Sequence, residues 1–191
     1  MTGEQVRRSP IDRPGVTRHV VVMGVSGCGK TTVAHGISAA TGLLFAEADD
    51  FHSRANVEKM RAGIPLDDED RWPWLRDLAA WMAERAAEGR STVIACSALR
   101  RVYRDLLAEG PPSLDFVHLD GPADVIRARL ASREGHYMPA SLLDSQLATL
   151  EPLQADERGV VLDVSLPPDQ LVSLAIARLH LAKDREPVDG T

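Results

Sequence analysis

A glycine-rich segment, GVSGCGKTT at residues 24–32, has the residue types and spacing of a loop that binds phosphate. Gly24, Gly29, Lys30 and Thr31 match the pattern G-x-x-x-x-G-K-[ST] in full. Glycines allow successive backbone N–H groups to turn toward one anion, and the N-terminus of the following helix adds partial positive charge. We therefore expect Lys30 to reach the β- and γ-phosphates of a nucleotide and the Thr31 hydroxyl to bind Mg²⁺.

The sequence on either side of this loop supports the match. The apolar run HVVVM predicts a buried strand before the loop, and the segment from Lys30 to Gly42 predicts a helix after it. Cys28 lies inside the loop, where we expect a small buried filler and not a nucleophile. The residues assigned to the nucleotide are Gly24, Val25, Ser26, Gly27, Cys28, Gly29, Lys30, Thr31, Thr32 and Arg129.

The loop predicts a nucleotide site but does not identify the reaction. A GTPase switch needs an N-K-x-D motif that reads the base, and the only asparagine of the chain is Asn56, in NVEK. ATPases of the AAA or transporter type are usually larger and carry further motifs. A compact kinase of small metabolites remains as the favoured class.

A kinase of this class needs a carboxylate near the acceptor hydroxyl, held at the end of a strand. Asp49 is the best candidate, because it ends the apolar run LLFAEAD, which predicts the second strand. It could orient the hydroxyl, accept its proton or hold a water on Mg²⁺. Glu47 and Asp50 are its neighbours, and we expect one of the three acids to be catalytic.

The third predicted strand, STVIACSA, ends at residues 96 and 97, where a substrate should lie. Ser97 could donate a hydrogen bond to a ligand, or it could cap the helix that follows. Arg100 is the better anion-binding candidate of this region. We expect Arg101 and Arg104 to pair with Asp105 or to face solvent.

A glycine-containing break after residue 132 predicts a mobile lid at about residues 132–142. Arg127 and Arg129 end the preceding helix, and Arg133 follows it. Lids of phosphoryl-transfer enzymes exclude water and can bring an arginine to the transferring group. We therefore assign a catalytic role to Arg133. His136, a single histidine in this segment, would on its own be more typical of a structural residue.

Predicted strands and helices alternate along the chain, which favours an α/β fold with a five-stranded parallel sheet and helices on both faces. Ligands of such sheets lie beyond the carboxyl ends of the strands. The length of 191 residues fits one domain, placed at 17–183, with flexible segments at 1–16 and 184–191.

Composition excludes several other classes of protein. The formal net charge is −6 and no cluster of Lys and Arg dominates, which argues against nucleic acid and anionic membranes as partners. No apolar run approaches the roughly 20 residues that cross a bilayer. With only two cysteines, a disulfide framework is not expected, and a reduced cytoplasmic setting fits best.

Further blocks of the sequence resemble the bacterial-type gluconokinases, small P-loop kinases that phosphorylate D-gluconate to 6-phosphogluconate with ATP and Mg²⁺. The blocks are M-G-V-S-G-[SC]-G-K from Met23, H-x-x-x-N-x-x-K-M from His52, G-x-P-L-x-D-x-D-R-x-P-W-L from Gly63, C-S-A-L-[KR] from Cys96, Y-R-D from Tyr103, R-x-G-H-[FY]-M from Arg133 and S-Q-x-x-x-L-E-P from Ser145. The resemblance covers residues from about 18 to 165.

This resemblance implies a P-loop kinase fold, a homodimer and a role for each matched residue. Lys30, Asp49 and Arg133 are the catalytic residues that it implies, and Thr31 is the metal ligand. The acceptor-binding residues are drawn from Asp49, Arg54, Arg71, Ser97, Arg100, His136 and Gln146. The family usually has D-G-D where this chain has Glu47-Ala48-Asp49, so the catalytic role is carried over to the last acid only.

Two other functions stay open at the level of sequence. One is a kinase of another small acceptor, such as shikimate or a nucleoside monophosphate, because these enzymes share the architecture. The other is a nucleotide-binding sensor that has lost catalysis, although Lys30, Thr31 and Asp49 are all intact. Gluconate-dependent release of ADP distinguishes all three.

Overall fold

Five short strands form a single parallel sheet, as predicted. The computed structural model describes residues 16–131 and 140–181. The strands are β1 (His19–Met23), β2 (Leu44–Glu47), β3 (Thr92–Ala95), β4 (Leu114–Asp120) and β5 (Gly159–Asp163). Their order across the sheet is β2-β3-β1-β4-β5, and each neighbouring pair is parallel. The glycine loop therefore leaves the central strand.

Seven α-helices and one short 3₁₀ helix connect the strands within the described residues. The helices are α1 (Lys30–Thr41), α2 (Arg54–Arg61), α3 (Asp68–Ala87), α4 (Arg101–Ala108), α5 (Ala123–Ala131), α6 (Ala140–Thr149) and α7 (Pro168–Arg178). The 3₁₀ helix, Ala48–Phe51, follows β2 directly. No helix of the described part of the chain combines the length and the apolar character that a membrane span requires.

The alternation of side chains along β1 divides the core between the two faces of the sheet. Val20 and Val22 pack into a cluster with apolar residues of α1 and α7. Val21 and Met23 pack into a second cluster with residues of α3 and α4. Burial of each such side chain contributes about 1.5–3 kcal/mol. Because both faces are covered, β1 is apolar throughout its last four residues, as is typical of a central parallel strand.

Two predicted strand ends, those of β2 and β3, are wrong. Strand β2 ends at Glu47, so Asp49 lies in the 3₁₀ helix and not in the strand. The acidic segment before Trp72 forms the start of α3, because Asp67 and Asp70 form a capping box there. Strand β3 ends at Ala95, so the two residues that follow it belong to a loop.

The charged residues of α4 have partners that sequence reasoning predicted only in part. Arg101 pairs with Asp105 as expected (Nε to Oδ1, 2.7 Å) and also with Asp156. Arg104 contradicts the prediction, because its side chain is 0% exposed and its guanidinium binds Glu157 (Nε to Oε1, 2.5 Å). Its Nη2 also donates to Glu157 Oε2 (2.9 Å), and its Nη1 donates to backbone carbonyls, including that of Glu151 (3.0 Å). This buried pair ties α4 to the segment that follows α6.

The lid predicted at about residues 132–142 includes residues 132–139, which lie outside the described residues. Arg133 and His136 fall in that gap. The predicted flexible segments at 1–16 and 184–191 also lie outside the described ranges, except for residue 16.

We predict that Arg104→Ala lowers the free energy of unfolding by about 3–5 kcal/mol, because it leaves the Glu157 carboxylate buried without its partner. Arg54→Ala is the matched control, since its ion pair with Glu58 lies at the surface. Urea denaturation at neutral pH measures both. Equal, small losses of stability in the two variants would contradict the assignment of a structural role to the buried pair.

Candidate active site

The glycine-rich loop joins the carboxyl end of β1 to the N-terminus of α1, which is the placement expected of a phosphate loop. Gly29 is the N-cap residue of α1 and has a left-handed backbone (φ 102°). Gly27 is also left-handed (φ 86°), and a Cβ there would lie 2.4 Å from Cγ of Leu130 on α5. Both positions therefore require glycine. Cys28 is buried, and burial raises the pKa of its thiol, so it remains a neutral filler as expected.

Three polar groups of the loop contact groups from elsewhere in the fold. Lys30 Nζ donates to the Val25 carbonyl (3.0 Å). The backbone N–H of Ser26 donates to Oε1 of Gln146 on α6 (2.7 Å). The Thr31 hydroxyl donates to Oε2 of Glu47 at the end of β2 (3.0 Å). The loop is thus connected both to α6 and to the acidic end of β2.

A cavity of about 440 Å³ opens beside the loop, above the carboxyl ends of the strands. That volume suits a small metabolite. Six of the predicted functional residues line it together: Ser26, Lys30, Asp49, Arg71, Ser97 and Gln146. They come from five different segments of the chain, and the parallel sheet brings together the three that directly follow β1, β2 and β3.

Three of the predicted arginines do not line the cavity. Arg54 is 93% exposed and pairs with Glu58 on its own helix. Arg100 does not line the cavity, and its guanidinium binds Asp68 (Nη1 to Oδ2, 2.7 Å). Arg129 reaches to within 3.9 Å of the place that a Cβ would take at Gly29, which puts it beside the phosphate loop.

Arg71 and Lys30 are the two cationic side chains among the described residues that line the cavity. Nη1 of Arg71 donates to the Tyr103 hydroxyl (3.3 Å) and lies 3.7 Å from Oδ1 of Asp68. The Tyr103 hydroxyl in turn donates to Asp68 (2.5 Å). That hydrogen bond, with those from Arg100, lowers the pKa of Asp68 and keeps it charged. Arg71 is therefore held in place on the side of the cavity formed by α3.

The segment that carries Arg71 is fixed by contacts between α2 and α3. Lys59 of α2 donates to both oxygens of Asp70 (2.6 and 2.8 Å). The Asn56 side chain donates to the Asp70 carbonyl (2.9 Å). These contacts hold the start of α3, with Asp70 and Arg71, against α2. Apolar residues of the intervening loop, Ile64, Pro65 and Leu66, complete the wall.

Ser97 lies in the loop after β3, where its carbonyl accepts a hydrogen bond from the Gly24 N–H (3.2 Å). The alternative that Ser97 caps α4 is wrong, because Arg100 is the N-cap residue of that helix. The neighbouring Ala98 is buried with a left-handed backbone (φ 42°), a conformation that strains a residue with a Cβ. Strain of this kind is common at functional sites.

His52 and Tyr103 line the cavity, although the sequence analysis did not assign either of them to it, and Glu47, one of the three acids considered for catalysis, lines it too. Burial raises the pKa of Glu47, while its hydrogen bond with Thr31 and nearby Lys30 oppose that shift. The Thr31 hydroxyl and the Glu47 carboxylate, which are hydrogen-bonded to each other, are oxygen groups that suit Mg²⁺. His52 begins one of the sequence blocks that match the family, which marked it as a residue of interest. That match did not show whether its side chain faces the cavity.

Comparisons with known proteins agree with this site. A family model described as "AAA domain" matches residues 20–153. Gluconokinase of Gluconobacter oxydans is 50% identical over 144 residues, which cover 75% of this chain and 80% of that protein. The thermoresistant gluconokinase of Escherichia coli is 43% identical, over 85% of this chain and 94% of that protein.

Solved structures give the same result. The crystal structure of a sugar kinase from Janibacter sp. is 66% identical, with a TM-score of 0.83, over 87% of this chain and 96% of that one. A gluconokinase from Sinorhizobium meliloti is 46% identical, with a TM-score of 0.77, over 86% and 93% of the two chains. Fold and phosphate loop together define this chain as a P-loop kinase. More narrowly, it belongs to the gluconokinase family.

We predict that Gly27→Ala weakens binding of a non-hydrolysable ATP analogue about tenfold or more, because the new Cβ displaces Leu130 and distorts the loop. Gly89→Ala is the control: Gly89 has a similar backbone (φ 71°), but nothing lies within 4 Å of its Cβ position. Isothermal titration calorimetry measures the affinities. Unchanged binding by Gly27→Ala would show that the loop tolerates a side chain there.

Proposed function

We propose that this protein transfers the γ-phosphoryl group of ATP to the primary hydroxyl of D-gluconate, giving ADP and 6-phosphogluconate. The observation that supports the proposal is that three groups line one cavity: the phosphate-loop ammonium of Lys30, the carboxylate of Asp49 and the guanidinium of Arg71. Because the chain belongs to the gluconokinase family, gluconate is the acceptor that we assign to these groups.

In the proposed reaction, the acceptor oxygen attacks the γ-phosphorus while the bond between that phosphorus and the β–γ bridging oxygen breaks. Asp49 aligns the hydroxyl and accepts its proton, and ADP departs with the bridging oxygen. Lys30 and the loop N–H groups neutralise the negative charge of the phosphates. Lys30 can exchange its hydrogen bond with the Val25 carbonyl for one with phosphate.

Magnesium is part of this proposal. A bound Mg²⁺ would neutralise charge on the β- and γ-phosphate oxygens. Thr31 would hold it directly, and Glu47, which already accepts the Thr31 hydrogen bond, would hold it directly or through water. The acidic side chains near Thr31 support this assignment.

The acceptor carboxylate is assigned to Arg71. Gluconate carries one negative charge away from its reacting hydroxyl, and a guanidinium binds a carboxylate through paired hydrogen bonds. Arg71 lines the cavity, whereas Arg54 and Arg100 pair with acids outside it. Ser97 and Gln146 are available for the hydroxyl groups of the acceptor.

Three features of the proposal come from the sequence alone. Arg133 closes over the transferring phosphoryl group, and His136 faces the acceptor. The protein acts as a homodimer, as the resemblance to the family implies. A cytoplasmic location fits the two cysteines, both of which are free and buried.

We expect the purified protein with ATP and Mg²⁺ to release ADP on addition of gluconate, and not on addition of shikimate or a nucleoside monophosphate. Lys30→Ala should lower kcat/KM about a hundredfold or more, because the phosphates lose a preorganised cation, while the melting temperature stays near that of the wild type. A coupled ADP assay measures the rates. Absence of gluconate-dependent turnover by the wild type would reject the proposed function.

We predict that Arg71→Gln raises the KM for gluconate about 10- to 100-fold, because one charge-assisted hydrogen-bonding partner is lost. Turnover of sorbitol, a polyol without a carboxylate, should be equally slow in the wild type and the variant. Arg54→Gln is the matched control and should leave both acceptors unaffected, since Arg54 is exposed outside the cavity. An unchanged gluconate KM in Arg71→Gln would assign the carboxylate to another group.

A further inference from the structure

His52 lies directly after the 3₁₀ helix that carries Asp49, and its surroundings are unusual for a histidine at the edge of a cavity. The side chain is only 5% exposed, although the residue lines the cavity. Its ring stacks on the indole of Trp74, with ring centres 4.3 Å apart and planes 18° apart. Nε2 of His52 lies 3.9 Å from Oδ1 of Asp49.

The turn between these two residues is fixed from both ends. The Trp74 indole N–H donates to the Ala48 carbonyl (2.7 Å), which anchors the start of the 3₁₀ helix on α3. The His52 backbone N–H donates to the Asp49 carbonyl (3.3 Å), which closes its end. These two hydrogen bonds hold the backbone of the turn. The Asp49 side chain, in contrast, is 81% exposed and has room to rotate.

The two ring nitrogens of His52 have different environments. Nδ1 is buried and has no hydrogen-bond partner among the described residues. A proton on Nδ1 would therefore be a buried donor without an acceptor, which is more unfavourable than a lone pair in the same place. The neutral ring should carry its proton on Nε2, the nitrogen nearer to Asp49.

We propose that His52 is a positioning residue for Asp49: its Nε2–H donates to the Asp49 carboxylate and directs the other carboxylate oxygen toward the acceptor hydroxyl. The gap of 3.9 Å closes by rotation of the exposed Asp49 side chain when an acceptor is bound. Trp74 keeps the imidazole plane in one orientation by stacking. The inference rests on the proposed function, because it assigns a partner to the group that receives the hydroxyl proton.

The charges around His52 agree with a neutral donor at pH 7. Burial lowers the pKa of His52, and Arg71, one turn before Trp74 on α3, lowers it further, while Asp49 opposes the shift. A neutral imidazole leaves the Asp49 carboxylate its full charge and its capacity to accept a proton. A protonated imidazole would form an ion pair with that carboxylate and weaken it as a base.

Two substitutions separate positioning from packing. His52→Phe keeps an aromatic ring on Trp74 but removes the N–H, and we expect kcat to fall about 10- to 100-fold with the gluconate KM within about twofold of the wild type. His52→Gln places an amide N–H near the position of Nε2, and we expect it to restore kcat to within about fivefold of the wild type. Melting temperatures show whether either variant is unfolded.

His35→Phe is the matched control. His35 also stacks on an aromatic ring, that of Phe45 (3.8 Å between centres), but it does not line the cavity. We expect its kinetics to equal those of the wild type. Equal kcat values for His52→Phe and His35→Phe would overturn the positioning role, and so would a loss in His52→Gln as deep as that in His52→Phe.

Nitrogen NMR of the folded protein provides a readout that does not depend on turnover. Long-range ¹H–¹⁵N correlation spectra of the imidazoles should show His52 with its proton on Nε2 at pH 7. A proton on Nδ1, or a ring charged at that pH, would overturn the inference even if gluconate is the substrate. Failure of the wild type to phosphorylate gluconate would instead reject the proposed function and leave the NMR result as the test of His52.

Discussion

The parallel direction of all five strands is the constraint on which the site depends. Parallel strands end at the same edge of the sheet, so the loops after β1, β2 and β3 must lie side by side. The phosphate loop follows β1, the 3₁₀ helix with Asp49 follows β2, and Ser97 follows β3. Hydrogen bonds then join these loops: Gly24 to Ser97 across β1 and β3, and Thr31 to Glu47 across α1 and β2. The shared direction of the strands therefore places the phosphate loop near the acidic turn that follows β2.

The acceptor half of the cavity depends on a second set of contacts, which do not involve the sheet directly. Trp74 of α3 both fills the core and holds the Ala48 carbonyl, so one side chain links helix packing to the position of the acidic turn. The capping box at Asp67 begins α3 early enough to place Arg71 on the cavity wall. Asp70 contributes to that cap and also pairs with Lys59. A run of acids that would ordinarily be solvated therefore has a structural role.

A third set of contacts connects α6 to the phosphate loop. The segment after α6 is tied to the start of α4, where the Glu151 N–H donates to the Leu99 carbonyl (2.8 Å). Arg104, which is buried on α4, donates to both the Glu151 carbonyl and the Glu157 carboxylate of that segment. This anchoring brings Gln146 to the Ser26 N–H. Packing far from the phosphates thus determines which polar groups surround them.

The sequence by itself determined the class of fold, the phosphate loop and the family, because these depend on local patterns: glycine spacing, apolar runs and ordered blocks of residues. It also identified Asp49 and Arg71 as candidates. Only the tertiary structure decided which of several arginines lines the cavity: Arg71 and Arg100 both lie beside Asp68, but of these two only Arg71 lines the cavity. Likewise, burial of His52 against Trp74 depends on the packing of α3 on the 3₁₀ helix. Side-chain partners across long sequence separations are set by packing in three dimensions, and no local pattern encodes them.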